Sequence, residues 1–331
     1  MPLHATSSVH PNMQIKIIGL HAPNAPRLRA LLGPAHEVEA LDAFPATGEL
    51  GADVVITNAL SADEAARVRC QLVHVPGAGS EQIVCDALPS GTTVCNVHGH
   101  EVPIAEFTLY AILEHCLRPW QYPVRLDAQA WAASYAARAP HDEAYGKTVA
   151  ILGFGHIGQE IARRARAFGM HVIAVTRSGR PGPIDLAHEH IAVTALHEVL
   201  PRVGVLVVCC PLDDGTRGLI GEEQLSLLPP GALLVNVARA EVVEEQALYE
   251  ALRDGRLGRA VLDVWYRYPK KGQAPVDPSR WPLHELANVR ATPHISAITP
   301  ALLERRYGFM ARNVERLQDG LPLENVIFRA P

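Results

Sequence analysis

The stretch Thr148-Val149-Ala150-Ile151-Leu152-Gly153-Phe154-Gly155-His156-Ile157-Gly158-Gln159 decides the fold. An apolar, β-branched run over Thr148–Leu152 predicts a buried strand. A glycine-spaced turn follows, and Gln159–Phe168 carries the pattern of a helix. Strand, GxGxxG and helix in that order are the context in which this spacing has meaning. Gly153 allows the tight turn, Gly155 lets the backbone approach a pyrophosphate, and Gly158 lets helix and strand pack closely. The helix start, with His156 and Ile157, then offers free N–H groups and a partial positive charge to a diphosphate.

Outward from this turn the strand–helix alternation continues. Strands are expected at His171–Thr176, Val205–Cys210, Leu233–Val237 and Ala260–Val264, with a last strand or turn near Val289–Ala291. This is one complete doubly wound series with a parallel sheet covered on both faces. Before it, Ile15–Leu20, Val54–Asn58, Leu72–Val75 and Thr93–Asn96 read as strands of a second α/β series. A helix is expected near Pro26–Leu32, and another over Ala62–Cys70 capped by Ser61. Long helices are expected at Pro103–Leu117 and at Pro300–Gln318, the latter ended by Asp319-Gly320. The first series is short of strands and the last helix is left over. The simplest arrangement completes the N-terminal domain with the C-terminal helix and inserts the cofactor domain between them. The expected division is 14–102 with 297–331, and 103–296. Arg118–Tyr145, rich in alanine and aromatics, reads as an arm or connecting helices, with Trp131 a candidate interface anchor.

The 331 residues suit two domains, and 48% hydrophobic with 20% charged residues suits two real cores. A net charge of −5 and a pI near 6.3 imply no basic face, so neither nucleic acid nor anionic membrane is an expected partner. The six cysteines form no CxxC pair and no metal-ligand cluster, and Cys209-Cys210 read as core, which suits a reducing cytoplasm. No metal is expected. Met1–Met13 lacks the basic start and apolar stretch of a signal peptide and reads as a loose tail, and no run is long enough to span a bilayer.

Three segments carry candidate chemistry: Asn236-Val237-Ala238-Arg239-Ala240, Leu262-Asp263-Val264-Trp265-Tyr266-Arg267-Tyr268-Pro269, and Thr292-Pro293-His294-Ile295-Ser296. Strand C-terminal ends face the ligand crevice of an open α/β sheet, so Arg239, Asp263 and His294 converge. A guanidinium can grip a carboxylate or polarise a carbonyl, and a histidine can exchange a proton near neutral pH. That set suits reversible reduction of a 2-oxo acid. At the end of the strand after the glycine turn, Thr176-Arg177-Ser178 stands where an acid normally binds the ribose hydroxyls. A hydroxyl and a cation there favour NADP over NAD, with NAD left open. His141, His188 and His190 lie in loop-like stretches and read as solvated.

With these motifs the chain resembles the D-isomer-specific 2-hydroxyacid dehydrogenase family over nearly its whole length. The resemblance implies two doubly wound parallel-sheet domains, a Rossmann cofactor domain inserted into a smaller flavodoxin-like substrate domain, and a homodimer with the arm near its interface. It implies that the loop Pro76-Gly77-Ala78-Gly79 holds the substrate carboxylate through its N–H groups, and that His100 to Glu106 begins the interdomain helix. On that helix it implies that Thr108 touches the cofactor. Pro211-Leu212 and Thr216 to Ile220 resemble the segment beside the adenosine. Val237 and Ala238 precede Arg239, which matches the substrate arginine. Asp263 matches the acid near the nicotinamide carboxamide, and His294 the catalytic acid/base. One departure stands out. The family places a glutamate, paired with the histidine, where this chain has Tyr268. A neutral tyrosine orients an imidazole without adding charge. Formate dehydrogenases of the superfamily also lack that glutamate, so a formate-like or other oxyanion dehydrogenase is an alternative, although His100 stands where those enzymes use asparagine. A dinucleotide-sensing protein of corepressor type is a second alternative. His98, His100, Trp265, Tyr268 and Trp281 are candidates for shaping the substrate pocket.

Overall fold

The structure is a computed structural model that describes residues 12–122, 125–182, 186–269 and 274–331. The tail expected over Met1–Met13 lies, up to Pro11, outside the described residues. The chain divides into two compact units, one running to Gly99 and resuming at Thr299–Pro331, the other His100–Ile298. The divisions therefore fall at 99/100 and 298/299, where the sequence suggested 102/103 and 296/297.

The first unit begins with β1 (Gln14–Ile18), α1 (Ala25–Leu32), β2 (Glu37–Leu41), β3 (Leu50–Gly51), β4 (Val54–Ile56), α2 (Ala62–Arg67), β5 (Val68–Arg69), β6 (Leu72–His74) and β7 (Thr93–Cys95). The second contributes α3 (Glu101–Leu117), α4 (Ala128–Ala136), β8 (Thr148–Leu152), α5 (His156–Ala167), β9 (His171–Thr176), β10 (Glu189–Ala192), α6 (Leu196–Val199), β11 (Val205–Val208), α7 (Glu222–Leu227), β12 (Leu233–Asn236), α8 (Glu245–Arg253), β13 (Arg259–Leu262) and β14 (Val289–Ala291). The chain then returns to the first unit with α9 (Pro300–Gln318) and β15 (Val326–Arg329).

The second sheet has seven strands in the order β10-β9-β8-β11-β12-β13-β14, all parallel. Alternate residues feed two cores. Ala150, Leu152, Val208 and Leu234 face one layer, and Val149, Ile151, Val207 and Val235 the other. Burial on both faces explains why these strands read as unbroken apolar runs. The first sheet has six strands, β15-β7-β6-β4-β1-β2. Two of these strands escaped the sequence reading, and β15 runs antiparallel to β7, so this sheet is not wholly parallel. The missed strands are the edges. Of Glu37–Leu41 only Val38 is buried, and Val326–Arg329 alternates half-buried with exposed, so neither shows an apolar run. The terminal helix α9 does join this unit: Tyr307, Met310, Ala311 and Val314 pack on Ile15, Ile17 and Leu28.

Helix ends differ from expectation where side chains decide them. Ser61 and Glu64 form a reciprocal capping box on α2, but the helix stops at Arg67. Val68 is extended and pairs with Leu50, which replaces the expected last turn to Cys70. Helix α5 begins inside the glycine motif, at His156, instead of at Gln159. His190 is no loop residue. It lies half-buried on β10 and packs edge-on against Phe154. His188 accepts a hydrogen bond from Val172 N through Nδ1 and stacks on His171.

Candidate active site

The glycine turn stands where β8 is flanked by β9 on one side and β11 on the other. At such a reversal of strand order the loops on the two sides diverge and leave a crevice. Gly153 has φ +98°, and a Cβ there would fall 2.6 Å from Cys210 Cα. At Gly158 a Cβ would fall 2.2 Å from the Gly153 carbonyl oxygen. Gly155, the N-cap of α5, faces open space, and no side chain caps the helix there. Two glycines are thus demanded by the protein's own packing, and the third leaves room for something else. An uncapped helix start behind a clear approach fits a dinucleotide diphosphate.

On the adenosine side of a nucleotide so placed, Thr176 ends β9, and its Oγ1 accepts from Gly179 N at 3.0 Å. Ser178 Oγ accepts from Arg180 N. Arg177 is largely exposed and its Nη2 lies 2.8 Å from Asp213 Oδ2. Thr216 Oγ1 closes the loop after β11, donating to Pro211 O and accepting from Asp213 N, each at 2.8 Å. Thr108 is fully buried on α3, and its hydroxyl donates to Ile104 O at 2.8 Å. His100 stands at the N-cap position of α3, with Nδ1 3.8 Å from Glu101 Oε2.

The chemical groups rise from the other half of the sheet. Asn236, Leu262 and Ala291 are register partners at the ends of the adjacent strands β12, β13 and β14. Arg239, Asp263 and His294 follow directly on those ends. The Arg239 turn is built by buried Asn236, whose Oδ1 accepts from Ala238 N and whose Nδ2 donates to Arg239 O. Val237 and Ala238 bury their side chains, while Arg239 itself is exposed.

Asp263 is fully buried, and its carboxylate is used up by the histidine loop. Oδ1 accepts from Thr292 Oγ1 at 2.6 Å and Ile295 N at 2.8 Å, and Oδ2 from Ser296 N at 3.0 Å. A buried carboxylate is tolerable only when satisfied in this way. Trp265 adds a fourth tie, its Nε1 donating to Thr292 O at 2.8 Å. These bonds hold His294 at φ +58°, a left-handed conformation that costs a side-chain-bearing residue free energy. Trp265 thus belongs to the core and anchors the loop, and Trp281 stacks on Tyr249 at 5.5 Å.

Tyr268 does reach the histidine: its hydroxyl lies 2.9 Å from His294 Nδ1. The same oxygen accepts from Trp265 N at 3.2 Å. Burial is the first cause that lowers the His294 pKa below its ordinary value, and the Arg239 charge adds to it against the opposing pull of Asp263. Burial likewise raises the Tyr268 pKa, so the phenol stays neutral.

In the first unit, the loop Pro76–Gly79 is tied down by its carbonyls. Gly77 O accepts from Val97 N and Ala78 O from Asn96 Nδ2. The Glu81 carboxylate lies over Gly79, where it would meet an added Cβ at 2.6 Å. Sequence reasoning missed Asn236, Thr292 and Asp213 as builders of these loops. Polar residues directly after apolar strands were the available signal. Among the described residues no three His, Cys, Asp or Glu are grouped to hold a metal ion, and no helix is long and apolar enough to cross a membrane.

Residues 109–296 match the NAD binding domain of the D-isomer specific 2-hydroxyacid dehydrogenases. A hydroxypyruvate reductase of Thermotoga maritima is 35% identical over 72% of this chain and 74% of its own. A glyoxylate reductase of Thermococcus gammatolerans is 37% identical over 54% of this chain, and there the chain spans about half of the relative's length, 51%. Among solved structures, an NADPH-dependent glyoxylate/hydroxypyruvate reductase of Sinorhizobium meliloti, in complex with NADP and sulfate, superposes with a TM-score of 0.73 at 25% identity. It covers 96% of this chain and 98% of that one. A doubly wound sheet with a glycine turn at its switch point defines a dinucleotide-binding α/β protein. The chain belongs to the D-isomer specific 2-hydroxyacid dehydrogenase family.

Proposed function

We propose that the protein is an NAD(P)-dependent 2-hydroxyacid dehydrogenase working chiefly as a 2-oxo acid reductase, with NADPH preferred. The observation that carries this reading is the Tyr268–His294 pair beside Arg239, on adjacent strand ends of the sheet that also bears the glycine turn. Gly153, Gly155, Gly158 and the start of α5 hold the dinucleotide, which when bound supplies the hydride in one direction and takes it up in the other. Arg239 grips the carboxylate or polarises the carbonyl of the acid. The first unit is assigned to the substrate, through Ala78 and Gly79, and the second to the dinucleotide.

Tyr268 fixes the tautomer of His294. Its oxygen accepts from Trp265 N with one lone pair and from Nδ1–H of His294 with the other. Nδ1 then keeps its proton, and the exchangeable proton is the one that Nε2 carries in the protonated ring and lacks in the neutral one. Reduction takes a proton from His294 to the former carbonyl oxygen, and oxidation returns it. The relatives' names, glyoxylate and hydroxypyruvate reductase, support short 2-oxo acids as substrates. Exposed Trp131 and Tyr135, with ring centroids 5.3 Å apart on α4, support a homodimer through the arm. The unpaired cysteines suit a cytoplasmic site of action.

The test is a substrate panel run on protein first sized by sedimentation, where a dimer runs at twice the 35.9 kDa of the chain. Glyoxylate and hydroxypyruvate should turn over, faster with NADPH than with NADH. Turnover of formate alone would replace this reading with the oxyanion alternative, and equal kcat/KM for the two cofactors would remove the NADPH preference.

A further inference from the structure

Strands β9 and β11 lie on opposite sides of β8, so the segments after them flank the crevice over the glycine turn. One ion pair joins those segments. Arg177, the residue after β9, reaches Asp213 in the loop after β11, with 2.8 Å between Nη2 and Oδ2. The two partners are unequal. The Arg177 side chain is 86% exposed on a long, flexible stem, whereas that of Asp213 is 37% exposed. Asp213 is also fixed by its own loop. Its Oδ1 accepts from Gly215 N, its N–H donates to Thr216 Oγ1, and its carbonyl accepts from Arg217 N.

The guanidinium is therefore the mobile partner and the carboxylate the stationary one. The charge of Arg177 is already answered before any ligand arrives. A 2′-phosphate has to draw the guanidinium away from Asp213 and then sit near a carboxylate that stays in place. A ribose 2′-hydroxyl meets neither cost, because it carries no charge.

We infer that Asp213 is a cofactor-specificity residue: it competes with the 2′-phosphate for Arg177, restrains the preference for NADP and keeps NAD usable. This rests on the reading of Arg177 as the phosphate's partner. Asp213→Asn is the discriminating variant, since it keeps an Oδ1 acceptor for Gly215 N and removes only the charge.

The experiment is calorimetric titration of the unmodified protein, Asp213→Asn, Arg177→Ala and the double variant with 2′,5′-ADP and with 5′-AMP. An exposed ion pair contributes up to about 1 kcal/mol, so Asp213→Asn should tighten 2′,5′-ADP by about fivefold. Binding of 5′-AMP should stay within about twofold, which also reports an intact adenosine site. Arg177→Ala should weaken 2′,5′-ADP, and on that background Asp213→Asn should lose most of its effect. The kcat/KM ratio of NADPH to NADH should rise in Asp213→Asn by the same factor as the 2′,5′-ADP affinity. If Arg177→Ala weakens 2′,5′-ADP but Asp213→Asn leaves it unchanged, the competition is overturned and the reading of Arg177 stands. If Arg177→Ala leaves 2′,5′-ADP unchanged, the reading of Arg177 falls and the inference with it.

Discussion

The glycine turn at residues 153–158 and the histidine loop at residues 292–296 belong to one sheet and are specified by opposite means. The turn is local. Its shape follows from φ +98° at Gly153 and from the 2.2 Å that a Cβ at Gly158 would leave to the Gly153 carbonyl. Six consecutive residues carry all of that information. The histidine loop is assembled. Its conformation depends on Asp263, on Trp265 and on the Tyr268 hydroxyl, supplied from a neighbouring strand end. A local device can be read from spacing alone, whereas an assembled one needs the register of β12, β13 and β14 before its parts can be seen to meet.

The largest effect expected is on the assembled side. Arg239 stands exposed on the turn that Asn236 builds, and its Nη1 donates to the adjoining Ala238 carbonyl of that same turn. Arg239→Ala should therefore leave thermal stability unchanged and reduce kcat/KM for the best 2-oxo acid by roughly a hundredfold, about 3 kcal/mol. Arg239→Lys keeps the charge but loses the planar fork and should also be poor. Activity within about threefold of the unmodified enzyme would make Arg239 structural and would dissolve the convergence of strand ends.

The local side is sharpened by two alanines. Gly158→Ala places a Cβ against backbone and should destabilise the second unit by about 2 kcal/mol or more, read as a lower Tm. Gly155→Ala meets no atom within 4 Å and should leave Tm nearly unchanged while weakening dinucleotide binding. Equal losses of Tm in both variants would show that Gly155 serves packing and not a ligand.

Much of the architecture was legible in the sequence because buried parallel strands are continuous apolar runs, as Val205–Val208 and Leu233–Asn236 are. The edges were not. Glu37–Leu41 and Val326–Arg329 are half-solvated, and their backbone pairing carries no side-chain signature. In the site, Arg239, Asp263, Tyr268 and His294 stood out as residue types at strand ends. What Asp263 touches did not, because its partners Thr292, Ile295 and Ser296 lie 29 to 33 residues away. The Arg177–Asp213 pair was hidden for the same reason, across 36 residues.

The smallest effect expected is the most direct measure of how the assembled site works. The His294 pKa lies below the ordinary histidine value of 6.5, and Tyr268 adds no charge to raise it. A lowered pKa means that the protonated, acid-active ring is lost as pH rises through a value below 6.5. The measurement is the pH dependence of kcat/KM for keto-acid reduction in the unmodified enzyme, Tyr268→Phe and Tyr268→Glu. The alkaline limb should fall below pH 6.5 in the unmodified enzyme. It should stay there or move slightly lower in Tyr268→Phe, which leaves Nδ1–H without its acceptor. In Tyr268→Glu a carboxylate beside the ring should move the limb upward by roughly one pH unit. Three superimposable profiles with unchanged activity would show that Tyr268 does not govern His294, and would contradict the account of a neutral histidine held by a tyrosine.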